Sequence, residues 1–322
     1  MKKNRIKTAM LLALMFVLGL TGCGSTEPDV VRIGALKGPT SIGLMKLLAD
    51  NEAGACENTY EFQMATGADE LIPLIAKGEL DLALVPANAA SVVYNKTDKA
   101  VEAVDINTLG VLYLVSADES VSSIQDLGGR TVLLTGRGTT PDYALDYLLA
   151  QNGITDCKKE FKSEPAEVVA ALTNEQGLVG LLPQPFVTAA LLQNDSLKKV
   201  VSLGDAWREA AGEEHEMVTG VTIVRKAFLE EHPDAVERFL KEHEASAAYV
   251  TAHPDEMAPL VVQYQIVGKE PIAKLAIPDC NITCIYGEKM KKALSDYLNV
   301  LYNMDKTCVG GSLPGEDFYF AR

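Results

Sequence analysis

No segment of this 322-residue sequence is apolar for long enough to cross a membrane. Its longest apolar run, 9–20, has twelve residues, whereas a membrane-spanning helix needs about 20. Basic residues are also scarce: 29 Lys and Arg stand against 44 Asp and Glu, a formal charge of −15. An acidic surface of this kind disfavours nucleic acid and anionic lipid headgroups as partners.

Cysteine is too rare for a disulfide framework. Five of the six cysteines lie beyond residue 23, an odd number spread over about 300 residues. Cys280 and Cys284, four residues apart, could form a bridge or half of a metal site. The four histidines do not supply the other ligands at a metal-binding spacing. We therefore interpret these cysteines as small buried side chains and expect neither a metal nor a cofactor.

What remains is an ordinary globular composition. Hydrophobic residues make up 48% of the chain and charged residues 23%, with 25 Gly and 14 Pro. This excludes a disordered, collagen-like or coiled-coil chain. The length allows one large domain or two lobes of roughly 100–150 residues each.

The amino terminus resembles a bacterial lipoprotein signal. A basic start and the short apolar run lead to Leu20-Thr21-Gly22-Cys23, which looks like a lipoprotein cleavage box. The resemblance implies a signal peptide over 1–22, lipidation of Cys23 and a polar tether over 23–29. The alternative is an ordinary signal peptide with an incidental cysteine. We expect a mature chain of formal charge −19, anchored by lipid on the extracytoplasmic side of the cell membrane.

The rest of the chain repeats one order of strands and helices. The first and third strands are 51 residues apart in one half and 48 in the other. Strands that alternate with helices predict parallel sheets, so we expect an α/β fold of two three-layer lobes. The predicted strands are Val30–Ala35, Tyr60–Met64, Leu80–Val85, Thr131–Leu134, Glu160–Lys162 and Leu178–Leu182.

Two glycine-containing β-type runs, Leu109–Val115 and Thr219–Val224, are candidates for the passages between the lobes. They divide the chain into a first lobe of 30–112 with 222–322 and a second lobe of 113–221. The carboxy-terminal part is predicted to be mostly helical and to pack back on the first lobe. His232-Pro233 and His253-Pro254 are each predicted to open a helix.

This layout resembles the two-lobed solute-binding proteins of ABC importers, in the group allied to thiamine-precursor, nitrate, taurine and alkanesulfonate binders. The resemblance runs from about Val30 to Phe320. It implies a cleft between the lobes that captures a small organic solute, and delivery to an ABC permease and its ATPase by a protein that we expect to be monomeric. The segments that carry it are Gly34–Thr40, Gly78–Ala83, Thr135–Pro141, Leu182–Thr188 and Gly311–Pro314.

Candidate ligand-binding residues lie where strands end and helices begin, because ligands gather at the carboxyl ends of parallel strands. Helix starts favour oxygen-bearing groups, and an arginine offers a fork of donors to a carboxylate, sulfonate or phosphate. Each residue also has a structural alternative as a helix cap, turn residue or solvated charge. The set is Lys37, Pro39, Thr40, Ser41, Thr66, Asp69, Asn88, Tyr113, Arg137, Thr139, Thr140, Tyr143 and Gln184.

Two other functions fit the same fold. Enzymes of the menaquinone pathway and a yeast-type pyrimidine synthase resemble this group. However, Cys280–Cys284 does not match the cysteine-rich motif of the synthase, and no nucleophile elbow, His-Glu-x-x-His helix or phosphate loop is present. We therefore expect no catalysis and no catalytic residues. A lipoprotein receptor for a sensor kinase would have the same cleft. For the solute, a nitrogen heterocycle, organic acid or sulfonate is favoured over a small, highly charged oxyanion.

Overall fold

A computed structural model describes residues 29–321, which form two mixed β-sheets. The first sheet has six strands, and its strand β1 pairs in parallel with β2 and β3. Strand β10 runs antiparallel to both β3 and β4, and β11 closes the edge beside β4. The strands, in spatial order, are β11 (Ile282–Ile285), β4 (Val101–Thr108), β10 (Gly220–Arg225), β3 (Leu82–Pro86), β1 (Val30–Leu36) and β2 (Thr59–Ala65).

The second sheet has five strands arranged on the same plan. Its strand β6 pairs in parallel with β7 and β8, and β5 runs antiparallel to β8 and β9. The prediction of wholly parallel sheets is therefore wrong. No crossover helix leads into β5 from within its own sheet, so nothing forces it to be parallel. In spatial order the strands are β7 (Lys158–Phe161), β6 (Thr131–Leu134), β8 (Val179–Pro183), β5 (Leu112–Ser116) and β9 (Lys198–Ser202).

Helices cover the faces of the two sheets and complete two α/β lobes, as predicted. Among the described residues, no helix is long and apolar enough to cross a membrane. The predicted signal peptide, Cys23 and nearly all of the tether lie outside the described residues. The α-helices are α1 (Pro39–Ile42), α2 (Met45–Glu52), α3 (Ala68–Lys77), α4 (Ala87–Lys96), α5 (Thr140–Gln151), α6 (Pro165–Asn174), α7 (Phe186–Gln193), α8 (Leu203–Ala211), α9 (Lys226–Glu231), α10 (Pro233–Ala252), α11 (Pro254–Gln263), α12 (Glu270–Ala276) and α13 (Gly287–Met304).

The chain passes between the sheets twice. The first passage, 109–111, joins β4 to β5 and lies within the first predicted run. The second lies before Gly220, because β10 pairs along its length with strands of the first sheet. The predicted passage inside Thr219–Val224 is thus displaced to 212–219, where no regular element forms. The predicted lobe limits, 112/113 and 221/222, remain a proposal. If each strand is assigned to a lobe by the sheet it belongs to, each limit moves by a few residues.

A buried carboxylate ties β1, β3 and β10 together. Asp81, 2% exposed, accepts a fork of hydrogen bonds from Arg32 Nε at 2.8 Å and Nη2 at 2.6 Å. Arg225 Nη2 adds a third at 3.0 Å. Burial by itself raises the pKa of Asp81, but the hydrogen bonds from Arg32 and then Arg225 outweigh it and hold the pKa below its usual range.

Three aromatic rings connect the lobes. Trp207 on α8 is fully buried, and its ring centroid lies 4.5 Å from that of Tyr147 on α5 and 5.1 Å from that of Tyr297 on α13. Helix α13 also packs against β4 of the first sheet. This aromatic packing supplies apolar contact between the lobes.

Candidate ligand cleft between the lobes

A cavity of about 490 Å³ lies between the two lobes. From the first lobe, Lys37 follows β1 and Thr66 follows β2, so both lie at carboxyl ends of parallel strands. From the second lobe come the starts of α6 and α7. The volume suits a small ligand. Its lining residues are Lys37, Thr66, Glu164, Pro165, Ala166, Phe186, Val262, Gln265, Ile266, Val267 and Gly268.

The cleft continues into a second, mainly apolar cavity of about 370 Å³. The two share one wall, in which the half-buried ring of Phe186 stands opposite the segment Val267–Gly268. The further walls come from α6, α7 and α12. A ligand with an apolar body could therefore extend from the first cavity into the second while its polar end remains near Lys37.

Charge in the first cavity is sparse. Among the described residues that line it, Lys37 is the only cation and Glu164 the only acid. Both side chains are exposed. Glu164 precedes helix α6, whose first residues Pro165 and Ala166 also line the cavity. The site can hold one anionic group without a surrounding ring of cations.

Beside the cleft lies a cluster of polar side chains, consisting of Thr40, Asn88 and Thr140, which are buried, and Thr219, which is half-buried. The methyl group of Thr40 lies against Gly220, where any added Cβ would be 2.5 Å away. Thr40 Oγ1, Asn88 Oδ1 and Thr219 Oγ1 have no hydrogen-bond partner among the described residues. Leaving a buried polar group unpaired costs about 1–3 kcal/mol.

One member of this cluster bridges the lobes, and another contacts the second passage. Asn88, at the start of α4, donates through Nδ2 to the carbonyl of Gly138 in the second lobe and to that of Cys308, each at 3.3 Å. Thr140, at the start of α5, donates to the carbonyl of Thr219 at 3.5 Å. These contacts bring together side chains that are far apart in sequence, at the point where the lobes meet.

Several predicted site residues make local contacts instead. Ser41 donates to the carbonyl of Gly38 at 3.0 Å, and Thr139 to that of Gly136 at 2.7 Å. Gln184 Oε1 accepts from the backbone and the hydroxyl of Thr188. Pro39 occupies the first turn of α1. These contacts fit the structural alternatives raised for turn and cap positions.

The remaining predicted residues lie outside the lining of the first cavity. The Arg137 guanidinium stacks on Phe161, 3.9 Å from the ring centroid. The side chain of Asp69 is exposed, and Tyr143 is half-buried beside the Gly138 loop.

Tyr113 lies on β5, close to the first passage between the lobes. Its hydroxyl donates to the carbonyl of Asp279 at 3.4 Å, and the ammonium of Lys199 lies 4.7 Å from its ring centroid. Burial, followed by the charge of Asp279, raises the pKa of Tyr113 to about 12. The Tyr113 side chain thus contacts Asp279 and Lys199.

The sequence reasoning missed a large part of the cleft wall. Val262 lies on α11, and residues 265–268 lie between α11 and α12, with no periodicity that marks them as a binding surface. Phe186 lies at a predicted strand end, two residues after the candidate Gln184, but was not itself chosen as a candidate. Thr219 was not chosen as a candidate because it lies in the run Thr219–Val224, which was predicted to be of β type. The five described cysteines are all free, with Cys280 and Cys308 buried and the other three half-buried.

A family model described as menaquinone biosynthesis matches residues 39–305. The chain belongs to this family. The matched range takes in every strand of the two sheets except β1, and every residue of the cleft lining except Lys37.

Solved structures and a curated relative share the fold. An ABC transporter protein from Parabacteroides distasonis superposes with a TM-score of 0.76 at 20% identity, covering 90% of this chain and 98% of that one. The periplasmic aliphatic sulphonate binding protein SsuA of Escherichia coli gives 0.71 at 13% identity, over 91% and 92%. A Bacillus subtilis protein whose name refers to binding of aliphatic sulfonates is 23% identical over 287 residues, 84% of this chain and 81% of its own.

These similarities confirm the resemblance inferred from the sequence. The solved neighbours have the periplasmic binding protein fold, and both sheets of this chain follow it. The predicted relation to the alkanesulfonate-binding group is confirmed as well.

Proposed function

We propose that this protein captures a small organic solute in the cleft between its lobes and delivers it to the permease of an ABC importer. The observation that carries the proposal is the 490 Å³ cavity, to which both lobes contribute strand-end and helix-start residues. Ligands of mixed α/β sheets bind at this edge. The similar proteins, whose names refer to ABC transport and sulfonate binding, support the same function.

The solute is an organic acid or sulfonate with an apolar body. Lys37 supplies the single cation for its anionic group, and Phe186 with Val267 supplies apolar contact. A small oxyanion with several charges would lack enough cations in this cavity.

We also propose that residues 1–22 direct export and that lipid on Cys23 holds the protein on the extracytoplasmic face of the membrane. Cys23→Ser should abolish incorporation of labelled palmitate and release the protein from membranes, whereas Cys157→Ser should do neither. Retention of label by Cys23→Ser would contradict the anchor.

The family description favours one other function, a step of menaquinone biosynthesis. We propose capture without chemistry. The polar side chains that line the cavity, among residues 29–321, are Lys37, Thr66, Glu164 and Gln265. The one hydroxyl among them, on Thr66, donates to Glu70 at 2.6 Å. Hydrogen bonds from the Thr66 hydroxyl and from the backbone of Gly67 and Thr66 lower the pKa of Glu70, which makes this carboxylate a helix cap and a weak base.

Native mass spectrometry of the full chain in mild detergent tests the proposal. A retained small molecule that is released with its mass unchanged after long incubation supports capture. A solute whose mass changes on the protein, with turnover beyond one equivalent, would establish an enzyme instead. A chain that arrives empty is then titrated with sulfonates, organic acids and heterocycles, and absence of any thermal stabilisation across that panel would contradict the proposal. At 100 times its Kd a ligand adds about 2.7 kcal/mol.

A further inference from the structure

A second cluster of polar side chains lies in the first lobe, away from the cavity lining. Asp105 on β4, His243 on α10 and Cys284 on β11 each offer one donor atom, and these three atoms all lie within 4.8 Å of one another. Asp105 and His243 are completely buried, and Cys284 is half-buried. We propose that these three residues hold a divalent transition-metal ion of the zinc class.

The imidazole is already oriented as metal sites require. His243 Nδ1 lies 3.0 Å from Asp105 Oδ2, and the ring stacks on Phe239 with centroids 5.3 Å apart. Asp105 Oδ1 in turn accepts from the Thr222 hydroxyl at 2.8 Å. The Thr222 hydroxyl thus holds the carboxylate from its other oxygen, and outer hydrogen bonds of this kind are the usual support of a metal ligand.

The ring nitrogen that faces the other two donors is Nδ1, because it lies against Asp105 Oδ2. The other nitrogen, Nε2, is buried and has no hydrogen-bond partner among residues 29–321. No contact of Nε2 therefore holds the ring proton on Nδ1. When that proton moves to Nε2, the Nδ1 lone pair, the Asp105 carboxylate and the Cys284 sulfur form a set of donors for one cation.

The donor types select the metal. Thiolate, imidazole and carboxylate together bind zinc, whereas magnesium and calcium prefer oxygen ligands alone. A divalent ion is neutralised by one carboxylate and one thiolate, so the occupied cluster carries no net charge. Binding breaks the S–H bond of Cys284 and releases its proton to solvent, while the imidazole stays neutral.

The geometry requires only a small contraction. Zinc–ligand bonds of about 2.0–2.3 Å place tetrahedral donors roughly 3.3–3.7 Å apart, so the widest separation must close by about 1 Å. Cys284 is the member of the cluster nearest to solvent: it is half-buried and lies next to the exposed carboxylate of Glu244. That acid attracts a cation to the only partly exposed donor of the three.

The test uses the full chain in mild detergent after removal of metals. Cobalt(II) should bind at one ion per chain and produce a thiolate-to-cobalt charge-transfer band, which zinc(II) then abolishes by displacement. Cys284→Ser should lose the band and weaken zinc binding by more than about 100-fold, beyond what loss of an outer partner causes. Cys157→Ser, a half-buried thiol of the second lobe, is the matched control and should keep both.

A second measurement needs no variant. In the wild-type chain zinc(II) should slow alkylation of Cys284 and leave that of Cys157 unchanged, as read by peptide mass spectrometry. Absence of the band in the wild type, the same band in Cys284→Ser, or alkylation of Cys284 that zinc does not affect would each overturn the site. None of these readouts involves the solute, so they stand or fall separately from the proposed transport function.

Discussion

Replacing Lys37 by alanine should weaken binding of an anionic solute about tenfold. Lys37 is the only cation among the described residues that line the cavity, and it directly follows β1 at the edge where a ligand would lie. The proposed solute carries one anionic group. Loss of Lys37 therefore removes its one charged partner and leaves the apolar contacts in place.

The expected loss of affinity follows from the exposure of the Lys37 side chain. A hydrogen bond to a charged group contributes about 1.5–3 kcal/mol when protected, and an exposed ion pair about 0–1 kcal/mol. Lys37 is exposed, and a solute that lies between it and the second lobe would cover part of its side chain. An intermediate contribution of about 1.4 kcal/mol is a factor of ten in Kd.

The assay is isothermal titration of the full chain with the solute recovered from it, or with butanesulfonate. Lys289→Ala is the matched control, because it removes the same charge from an exposed position on α13 outside every described cavity lining. Arg137→Ala is the second comparison. Arg137 stacks on Phe161 outside the lining, so its loss should change the Kd less than loss of Lys37.

Equal affinities for Lys37→Ala and Lys289→Ala would refute the reasoning, because long-range charge alone would then explain any loss. A larger effect from Arg137→Ala than from Lys37→Ala would also refute it. That result would place the anion at the β6–α5 turn, as the sequence reasoning supposed.

Three further changes probe the cleft and its support. Phe186→Ala should weaken a solute with an apolar body by about 1 kcal/mol in the same titration and leave the melting temperature nearly unchanged, since a half-buried ring gives up part of the value of full burial. Asp81→Asn should lower the free energy of unfolding in urea by about 2–3 kcal/mol, less than for a fully buried pair because one arginine is partly exposed. Since the folded-state pKa of Asp81 is lowered, its stabilisation is present at neutral pH and should disappear as the pH falls through that pKa. Gly34→Ala should cost about 1–3 kcal/mol, because its Cβ would lie 2.6 Å from Leu80 Cδ1, and an unchanged urea midpoint would contradict this packing.

The regular elements were accessible from the sequence because their signals are local. All six predicted strands form within two residues of their predicted limits, and His232 and His253 do precede helices α10 and α11. Alternation and helix-start residues act over a few positions, so one sequence suffices to find them.

The sequence alone could not predict which residues far apart in the chain come into contact. Asp105 and His243 are 138 positions apart and touch only because α10 packs against β11 beside β4. Arg137 has the chemistry of an anion site, yet an aromatic ring on the neighbouring strand holds its guanidinium. Val262 on α11 and residues 265–268 after it line the cavity because of where the fold places them, and their residue types do not indicate a binding site.

A structure of the full chain with its solute bound tests the central claim most directly. The account predicts the solute between Lys37 and Phe186, in contact with residues of both lobes. A solute held by one lobe alone, or bound outside this cavity, would contradict it.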